Sequence, residues 1–356
     1  MNKRVEQLKQ RLQPKGLRCA LVTSYENRLY LSGFTGSNAT LLICEDENIL
    51  ITDFRYQEQA AKQAGDFTIL ITSPTVNVFD FVKDILAQKQ IDTLGFEAEQ
   101  VTVQWLEVAH KALEGVHLIG YYGEVEALRA IKDASEIAKI QKAQDITDAA
   151  FLNVLNILKP GVSEVEIAAY LCYDMARNGC RESFPAIVAS GPNGSMPHAV
   201  PSERKLEQGD FVTMDFGCIY DSYCSDMTRT VAIGQPSDEM VQVYEIVLSA
   251  QLAALDAIQP GANFKAIDAI ARNIITEAGY GECFGHGLGH GFGLAVHEEP
   301  RFSQTCNEDI SVGVCISCEP GIYLPGKFGV RIEDTVAVTE GGYHNFTASK
   351  KELMIL

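Results

Sequence analysis

Five side chains that bind hard metal ions lie in the second half of the chain, each beside an apolar or glycine-rich run. They are Asp215, Asp226, His290, Glu319 and Glu333. Four carboxylates and one imidazole can hold two divalent cations a few ångströms apart with a water molecule between them. Such a pair makes water a nucleophile near neutral pH. The set therefore predicts a two-metal hydrolytic site.

The sequence around the four carboxylates distinguishes two interpretations. They could be metal ligands, or they could be ordinary solvated acids at the ends of strands. Asp215 closes the apolar stretch FVTMDFG, and Glu319 closes VCISCEPG. Asp226 and Glu333 lie in YCSDMTRTVAI and GVRIEDTVAV, which are rich in β-branched residues. A solvated position is the common state of any single Asp or Glu. Four carboxylates in apolar surroundings are costly unless they are paired or bound to metal, so the shared context favours the metal site.

An internal duplication relates the two parts of this region. The segment that begins at Pro160 is repeated from Pro260, with a helix, a Pro-Gly break and a second helix at the same spacing. Further along, QGDFVTMDFG matches VGVCISCEPG, so Asp215 and Glu319 occupy equivalent positions. The other two carboxylates each precede a Thr-Val-Ala run. Each half therefore contributes two carboxylates, which predicts a metal pair on a pseudo-twofold axis between the halves.

The composition indicates a soluble cytoplasmic enzyme. A chain of 356 residues exceeds what one core usually supports, so two domains are expected. The net charge of −18 argues against nucleic acid and against an anionic membrane as partners. The N-terminal run MNKRVEQLKQRL predicts a polar helix instead of a signal peptide, and the ten cysteines are expected to be reduced thiols. Cys315 and Cys318 resemble a redox motif, but they lie in a predicted strand, which disfavours that role.

The pattern of elements changes near residue 122. Residues 1–122 alternate short β-rich runs with helical stretches, which predicts an α/β domain. Residues 123–356 contain a long helix from Ala134 and then the duplicated unit, in which Ser163 and Glu166 form a capping box. This second part is predicted to be α+β, with helices packed on antiparallel sheet.

The glycine-rich stretch GHGLGHGFGLAVHEEP, which starts at Gly285, does not satisfy the GxGxxG pattern of a nucleotide-binding loop in any register. In an extended segment its alternating glycines would share one face, with His286 and His290 on the other, which suits close approach of backbone or substrate. A lone histidine is more often structural than functional. Here His297 and His198 join the other two beside glycine-rich or proline-rich turns, which predicts a functional cluster.

These motifs resemble the proline-specific metallopeptidases of the pita-bread fold, which include Xaa-Pro aminopeptidase (aminopeptidase P), prolidase and, more distantly, methionine aminopeptidase. The resemblance rests on MDFG, YCSDMTRT, HGLGHGFGLAVHE, CEPGIY and VRIEDTVAV. It also rests on NRLYLSGFTGS and TDFRYQEQA, which are similar to the creatinase-type N-terminal domain that short methionine aminopeptidases lack. The resemblance implies a duplicated α+β pita-bread domain after a creatinase-type α/β domain, and a peptidase that removes the residue before proline.

The resemblance also implies a role for each site residue. It implies five metal ligands, of which Asp226 and Glu333 bridge two ions. The full set is Asp215, Asp226, His290, Glu319 and Glu333. Manganese suits these oxygen ligands, with cobalt, iron or zinc as alternatives. A bridging hydroxide would attack the carbonyl before proline while Glu319 shuttles the proton. Substrate contact or assistance to the reaction is implied for His198, His286, His297, Tyr323 and Arg331.

Within these roles, His297 would hydrogen-bond the oxyanion, and Arg331 would hold Glu333. Arg301, four residues beyond His297, could hold the free carboxylate of a dipeptide. An equally weighted alternative is a surface arginine that balances neighbouring glutamates. Cleavage of peptides longer than dipeptides is expected in either case.

The intact ligand set also distinguishes this chain from proteins of the same fold that have other functions. Creatinase lacks the metal ligands, and protein-binding members of the fold have lost them, so an intact set disfavours both. A methionine-type aminopeptidase remains an alternative. The resemblance further implies a homodimer whose ligand is a proline-containing peptide. It does not separate a dipeptidase from an aminopeptidase.

Overall fold

The computed structural model describes residues 2–356, and the chain separates into two compact units, Met1–Arg129 and Ala130–Leu356. The division follows the short helix Glu126–Arg129, whereas the sequence pattern places it near residue 122. This helix belongs to the first unit because Asn27 donates a hydrogen bond to Glu126 and accepts one from Arg129, both at 2.7 Å. No helix within residues 2–356 is long and apolar enough to cross a membrane.

The first unit is an α/β domain built on one six-stranded sheet. Its strands are β1 (Cys19–Val22), β2 (Ala39–Cys44), β3 (Asn48–Asp53), β4 (Thr68–Thr72), β5 (Thr93–Glu97) and β6 (His117–Tyr121). Its helices are α1 (Lys3–Leu12), α2 (Tyr25–Ser32), α3 (Gln57–Gln63), α4 (Val78–Lys89), α5 (Val103–Ala112) and α6 (Glu126–Arg129). The sheet order is β4-β3-β2-β1-β5-β6, in which β1, β2 and β3 pair antiparallel and the outer strands pair parallel.

One pair of cysteines in this sheet corrects the expectation that all thiols are reduced. Cys19 and Cys44 face each other across β1 and β2, and their sulfurs form a disulfide. The Cβ atoms of facing residues in an antiparallel pair lie roughly 5 Å apart. The register of β1 and β2 therefore brings the two cysteines close to each other. Sequence spacing does not reveal this, because the two residues are 25 positions apart. The other cysteines of the chain are free.

The second unit is α+β, with long helices packed on antiparallel sheets. Its helices are α7 (Ala134–Val154), α8 (Glu164–Arg177), α9 (Asp238–Asp256) and α10 (Phe264–Glu277). Its strands are β7 (Arg181–Glu182), β8 (Ile187–Ser190), β9 (Phe211–Phe216), β10 (Cys218–Tyr220), β11 (Tyr223–Cys224), β12 (Met227–Ala232), β13 (Gly289–Gly291), β14 (Glu298–Phe302), β15 (Cys315–Cys318), β16 (Gly321–Leu324), β17 (Phe328–Arg331), β18 (Asp334–Thr339) and β19 (Gly342–Asn345). The larger sheets run β12-β9-β8 and β14-β13-β15-β18-β19.

The internal duplication organises this unit. Helices α7 and α8 cover β9 and β12 in the first half, and α9 and α10 have the corresponding place beside β15 and β18 in the second. Gly161 and Gly261 both have left-handed backbone, with φ of 94° and 81°, which explains the repeated glycine. Ser163 forms the expected capping box with Glu166 at the start of α8. The fold class inferred from the sequence is confirmed.

Candidate metal centre

The five expected ligands lie on or beside strands of the two larger sheets. Asp215 is in β9, and Asp226 directly precedes β12, which pairs with β9. Glu319 directly follows β15, and Glu333 directly precedes its partner β18. His290 is the middle residue of β13, which pairs with β15. The two halves therefore supply their carboxylates from equivalent strand pairs.

These side chains converge on one point. Oxygens of Asp215, Asp226 and Glu333 lie within 4.8 Å of one another. His290 Nε2 lies 3.2 Å from Glu319 Oε1 and 3.7 Å from Asp226 Oδ2, which brings the other two residues into the cluster. The structure thus assembles all five residues that the sequence singled out.

Two buried carboxylate oxygens show that this cluster suits a cation. Asp215 Oδ1 and Glu333 Oε1 have no hydrogen-bond partner among the described residues. Their sister oxygens are engaged: Asp215 Oδ2 accepts from Arg331 at 2.5 Å, and Glu333 Oε2 accepts from Thr228 Oγ1 at 2.7 Å. A buried acceptor without a partner is costly, and it is more costly when it carries charge. Divalent ions between these oxygens would supply the missing partners, so the residues fit a metal site.

The acid–base properties of the cluster agree with this. Burial, followed by the nearby carboxylates, raises the pKa of Asp226 and of Glu333 well above the usual range. Burial also raises the pKa of Asp215, although Arg331 opposes the shift. For Glu319 burial is outweighed by the hydrogen bond to His290, which lowers its pKa to about 2. A bound cation would favour the ionised form of every carboxylate and so counteract the raised pKa values.

Arg331 links several residues of the centre. Its guanidinium pairs with Asp215 and donates to Thr228 Oγ1 at 3.0 Å and to the Tyr323 hydroxyl at 2.8 Å. Because Thr228 in turn donates to Glu333, Arg331 reaches that ligand through a hydroxyl and not directly. Sequence analysis missed Thr228, whose signal is only a hydroxyl in the run DMTRT. Its position opposite Asp215 in the β9–β12 register supplies the reason.

His286 has both ring nitrogens engaged by the protein. Nε2 lies 3.0 Å from the Tyr323 hydroxyl, and Nδ1 lies 2.8 Å from the Gly287 carbonyl oxygen. Arg331 can only donate, so the Tyr323 hydroxyl accepts from it and donates to Nε2. The carbonyl can only accept, so Nδ1 carries the ring proton. Burial lowers the pKa of His286, which favours the neutral form of the ring. In this arrangement both ring nitrogens are occupied by groups of the protein.

The cluster forms one wall of a cavity of about 500 Å³. The other expected site residues that line this cavity are His198, His286, His297, Tyr323, Arg301 and Arg331. His297 is exposed, and its ring centroid lies 4.3 Å from that of His290. Arg301 lines the cavity and also pairs with Glu299 at 3.1 Å, so both alternatives weighed for it have a structural counterpart.

An apolar part of the cavity wall was missed by the sequence analysis. It consists of Phe184, Ile187, Val296 and Phe302. Their only signal is proximity in sequence to His198 and His297, because isolated apolar residues resemble core. They give the cavity a surface that can take an apolar ring beside the charged cluster.

Two family models cover most of the chain. Residues 138–340 match the metallopeptidase family M24, and residues 4–131 match the creatinase/prolidase N-terminal domain. The chain belongs to metallopeptidase family M24. This M24 member is therefore a metal-dependent hydrolase of peptides, and the resemblance inferred from its motifs is confirmed.

Relatives of this M24 peptidase align over nearly their whole length. An uncharacterized peptidase from Bacillus subtilis is 40% identical and covers 99% of this chain and 100% of its own. A Xaa-Pro dipeptidase from Pyrococcus furiosus is 36% identical with the same coverage. A solved Xaa-Pro dipeptidase from Bacillus anthracis superposes with a TM-score of 0.96 at 42% identity, covering 99% of each chain. An X-Pro aminopeptidase from Thermotoga maritima gives 0.91 at 38% identity, covering 97% of this chain and 100% of its own.

Proposed function

We propose that this M24 peptidase hydrolyses the bond between the first residue of a peptide and a proline that follows it. The observation that carries the proposal is the convergence of five ligand side chains, two of them with unpartnered buried oxygens, on the wall of one cavity. The relatives named Xaa-Pro dipeptidase and X-Pro aminopeptidase support the choice of substrate.

The ligand set supports two ions. Asp215, Asp226, His290, Glu319 and Glu333 would together hold them. When bound, such a pair supplies a water nucleophile near neutral pH and polarises the carbonyl of the substrate. Oxygen donors with one imidazole suit Mn²⁺, with Co²⁺, Fe²⁺ or Zn²⁺ as alternatives.

Two side chains are placed to act on protons and charge. Glu319 lies on the cavity wall, where it would take a proton during the attack and deliver it to the departing prolyl nitrogen. His297 faces the same cavity, where partial desolvation of its ring, followed by the neighbouring His290, lowers its pKa. Its neutral ring would donate a hydrogen bond to the negative charge that develops on the carbonyl oxygen.

The apolar wall supports selection of proline. A prolyl imide lacks an N–H and has a fixed φ, so a site that reads an extended backbone discriminates against it. Phe184, Ile187 and Val296 line the cavity and offer an apolar surface on which a prolyl ring could pack. Arg301 at the same cavity would hold the carboxylate of a dipeptide, and longer peptides would extend past it. We therefore expect activity on both. We further propose a homodimer, as the family resemblance implies, and a cytoplasmic location, as the composition indicates.

The deciding experiment compares initial rates on Xaa-Pro, Xaa-Pro-Xaa and Met-Ala peptides with added Mn²⁺. We expect the two proline substrates to be cleaved and Met-Ala to be poor. Preferential cleavage of Met-Ala would move the assignment to a methionine-type aminopeptidase. Absence of turnover on all three, with metal bound, would favour a non-catalytic protein. Light scattering gives the oligomeric state of the same sample.

A further inference from the structure

Among the residues that the structure describes, the ring of His297 is positioned by its backbone and by one aromatic contact, without a hydrogen bond of its own. Within residues 2–356 its ring forms no hydrogen bond, and its aromatic contact is with the ring of His290. A residue that must donate to a developing charge has to be oriented before the reaction. The groups that fix the chain on either side of His297 therefore set its position.

Glu298, the next residue, fixes this backbone through both carboxylate oxygens. Oε1 accepts a hydrogen bond from the Ala295 N–H at 3.0 Å, which closes the turn that carries His297. Oε2 accepts from Lys132 Nζ at 3.1 Å. The two side chains of this ion pair are only 6% and 1% exposed, so neither can exchange its partner for water without movement of the loop.

The surroundings of this ion pair are shaped to hold it. The Lys132 N–H donates to the Gly313 carbonyl oxygen at 2.8 Å, which anchors the lysine to the turn before β15. Gly293 lies against the pair, where an added Cβ would come within 2.9 Å of Lys132 Cε and 3.0 Å of Glu298 Oε2. The Gly293 carbonyl oxygen accepts from the Cys224 N–H, two residues before Asp226, at 2.8 Å. The loop is thus tied both to Lys132 and to the segment of a ligand.

We propose that Lys132 and Glu298 are positioning residues for His297, although neither lines the cavity. Their ion pair fixes residues 293–298 at the separation from the ligand cluster that the reaction needs. A buried ion pair adds little stability of its own. Loss of one partner leaves the other charge buried and unpaired, and the loop would then have to move to expose that charge to solvent. The inference rests on the proposed function in one respect, which is the catalytic use of His297.

The first test follows the His297 ring directly. The full chain is labelled at histidine and loaded with diamagnetic Zn²⁺, and the His297 resonance is assigned by its loss in His297→Ala. We expect Lys132→Met, which removes the cation at similar side-chain length, to shift or broaden this resonance. Lys327→Met is the matched control, because it breaks an exposed pair with Glu239 at 2.7 Å, and it should leave the signal unchanged. An unchanged His297 signal in Lys132→Met would overturn the proposal.

The second test separates positioning from general support of the fold. We expect Lys132→Met to lower kcat on an Xaa-Pro peptide by roughly 10- to 100-fold, the scale of a misplaced catalytic group, with unchanged metal content. In a His297→Ala background the same substitution should have no further effect. An equal loss in both backgrounds would overturn the proposal.

Glu298→Gln provides a second variant should Lys132→Met fail to fold. It keeps an acceptor for the Ala295 N–H and removes the charge that pairs with Lys132. We expect the His297 signal and kcat to change in the same direction as in Lys132→Met, but by a smaller amount. If neither the signal nor kcat changed, the proposal would be overturned. Undiminished kcat in His297→Ala itself would contradict the catalytic role proposed for His297, while the resonance would still test the positional link.

Discussion

The buried carboxylates of the second unit differ in what compensates their charge. Asp334 is compensated by the protein itself, because Arg229 and Lys351 both pair with it at 2.7 Å. Within residues 2–356, Asp226 and Glu333 form no ion pair with an arginine or lysine, and the pKa of each is raised well above the usual range by burial and by neighbouring acids. The charge of an acid of the first kind is compensated within the fold, whereas an acid of the second kind must be protonated or bind a cation.

The two histidines whose rings meet in the cavity should differ when each is replaced. We expect His297→Ala to lower turnover by ~10²-fold or more, as for removal of one donor to a transition-state oxyanion, with metal content near wild type. His290→Ala should instead lose metal, because His290 lies within the ligand cluster. Elemental analysis beside steady-state kinetics measures both effects. Equal metal content in the two variants would mean that one role is misassigned.

Arg301 should report on the length of the substrate. If its guanidinium binds the carboxylate of a dipeptide, Arg301→Ala raises KM for Xaa-Pro dipeptides. The loss of binding free energy should equal that of a charged hydrogen bond, ~1–3 kcal/mol. KM for longer peptides should change little, because their carboxylate lies elsewhere. Glu299→Ala, which removes the other partner of Arg301, is the control. Equal effects on both substrates would rule out recognition of the carboxylate.

Sequence alone identified those residues whose chemistry is unusual for their immediate neighbours. An aspartate after FVTM or a glutamate after CISC stands out in its own strand, and duplication doubled that signal. Thr228 and Lys132 are ordinary in their local runs. Their importance arises from partners 105 and 166 residues away, Glu333 and Glu298, and no spacing rule joins such pairs. The apolar wall was missed for the same reason.

At the scale of elements, one buried carboxylate joins helix α8 to the loop that carries His198. Glu164 accepts hydrogen bonds from the N–H and hydroxyl of Ser190 and of Ser202, at 2.6–3.0 Å, and from the amide of Asn193 at 3.0 Å. These bonds fix both ends of the loop. Burial opposes ionisation of Glu164, but its hydrogen bonds with Ser202 and Ser190 outweigh burial and lower its pKa.

This carboxylate should make the second unit sensitive to acid. A lowered folded-state pKa means that Glu164 contributes stability above its ordinary pKa of 4.5, and that this contribution is lost as the pH falls through the folded value. We expect Glu164→Gln to lower the free energy of unfolding at neutral pH by about 1–3 kcal/mol. Urea titrations at several pH values measure it. The difference from wild type should shrink toward low pH, and a constant difference would contradict the assignment.

Elements were predicted better than the contacts between them. The Pro-Gly breaks and the Ser163 capping box are local signals, because left-handed backbone and an N-cap hydroxyl depend on a few neighbouring residues. The Cys19–Cys44 disulfide depends on the register between β1 and β2, which a pattern of apolar residues does not specify. The end of the first unit likewise depends on the bond between Arg129 and Asn27, 102 positions apart.

For the whole molecule, metal binding should stabilise one unit and not the other. The five expected ligands all belong to the second unit, so ions that bind its folded form raise its unfolding temperature by mass action. We expect up to two ions per chain, loss of activity with a chelator, and recovery with Mn²⁺. Calorimetry with and without chelator should show a shift in the transition of residues 130–356 alone. Full activity of chelated, metal-depleted protein would contradict the proposed site.

The division of the ligands between two halves bears on when a newly made chain can become active. Asp215 and Asp226 leave the ribosome well before Glu319 and Glu333, and segments fold only with the partners already synthesised. The chain near residue 355 then pairs with β12, the strand that follows Asp226. A growing chain thus carries acidic residues without a complete centre. We therefore expect metal-dependent activity only after the second half of the chain has emerged and folded.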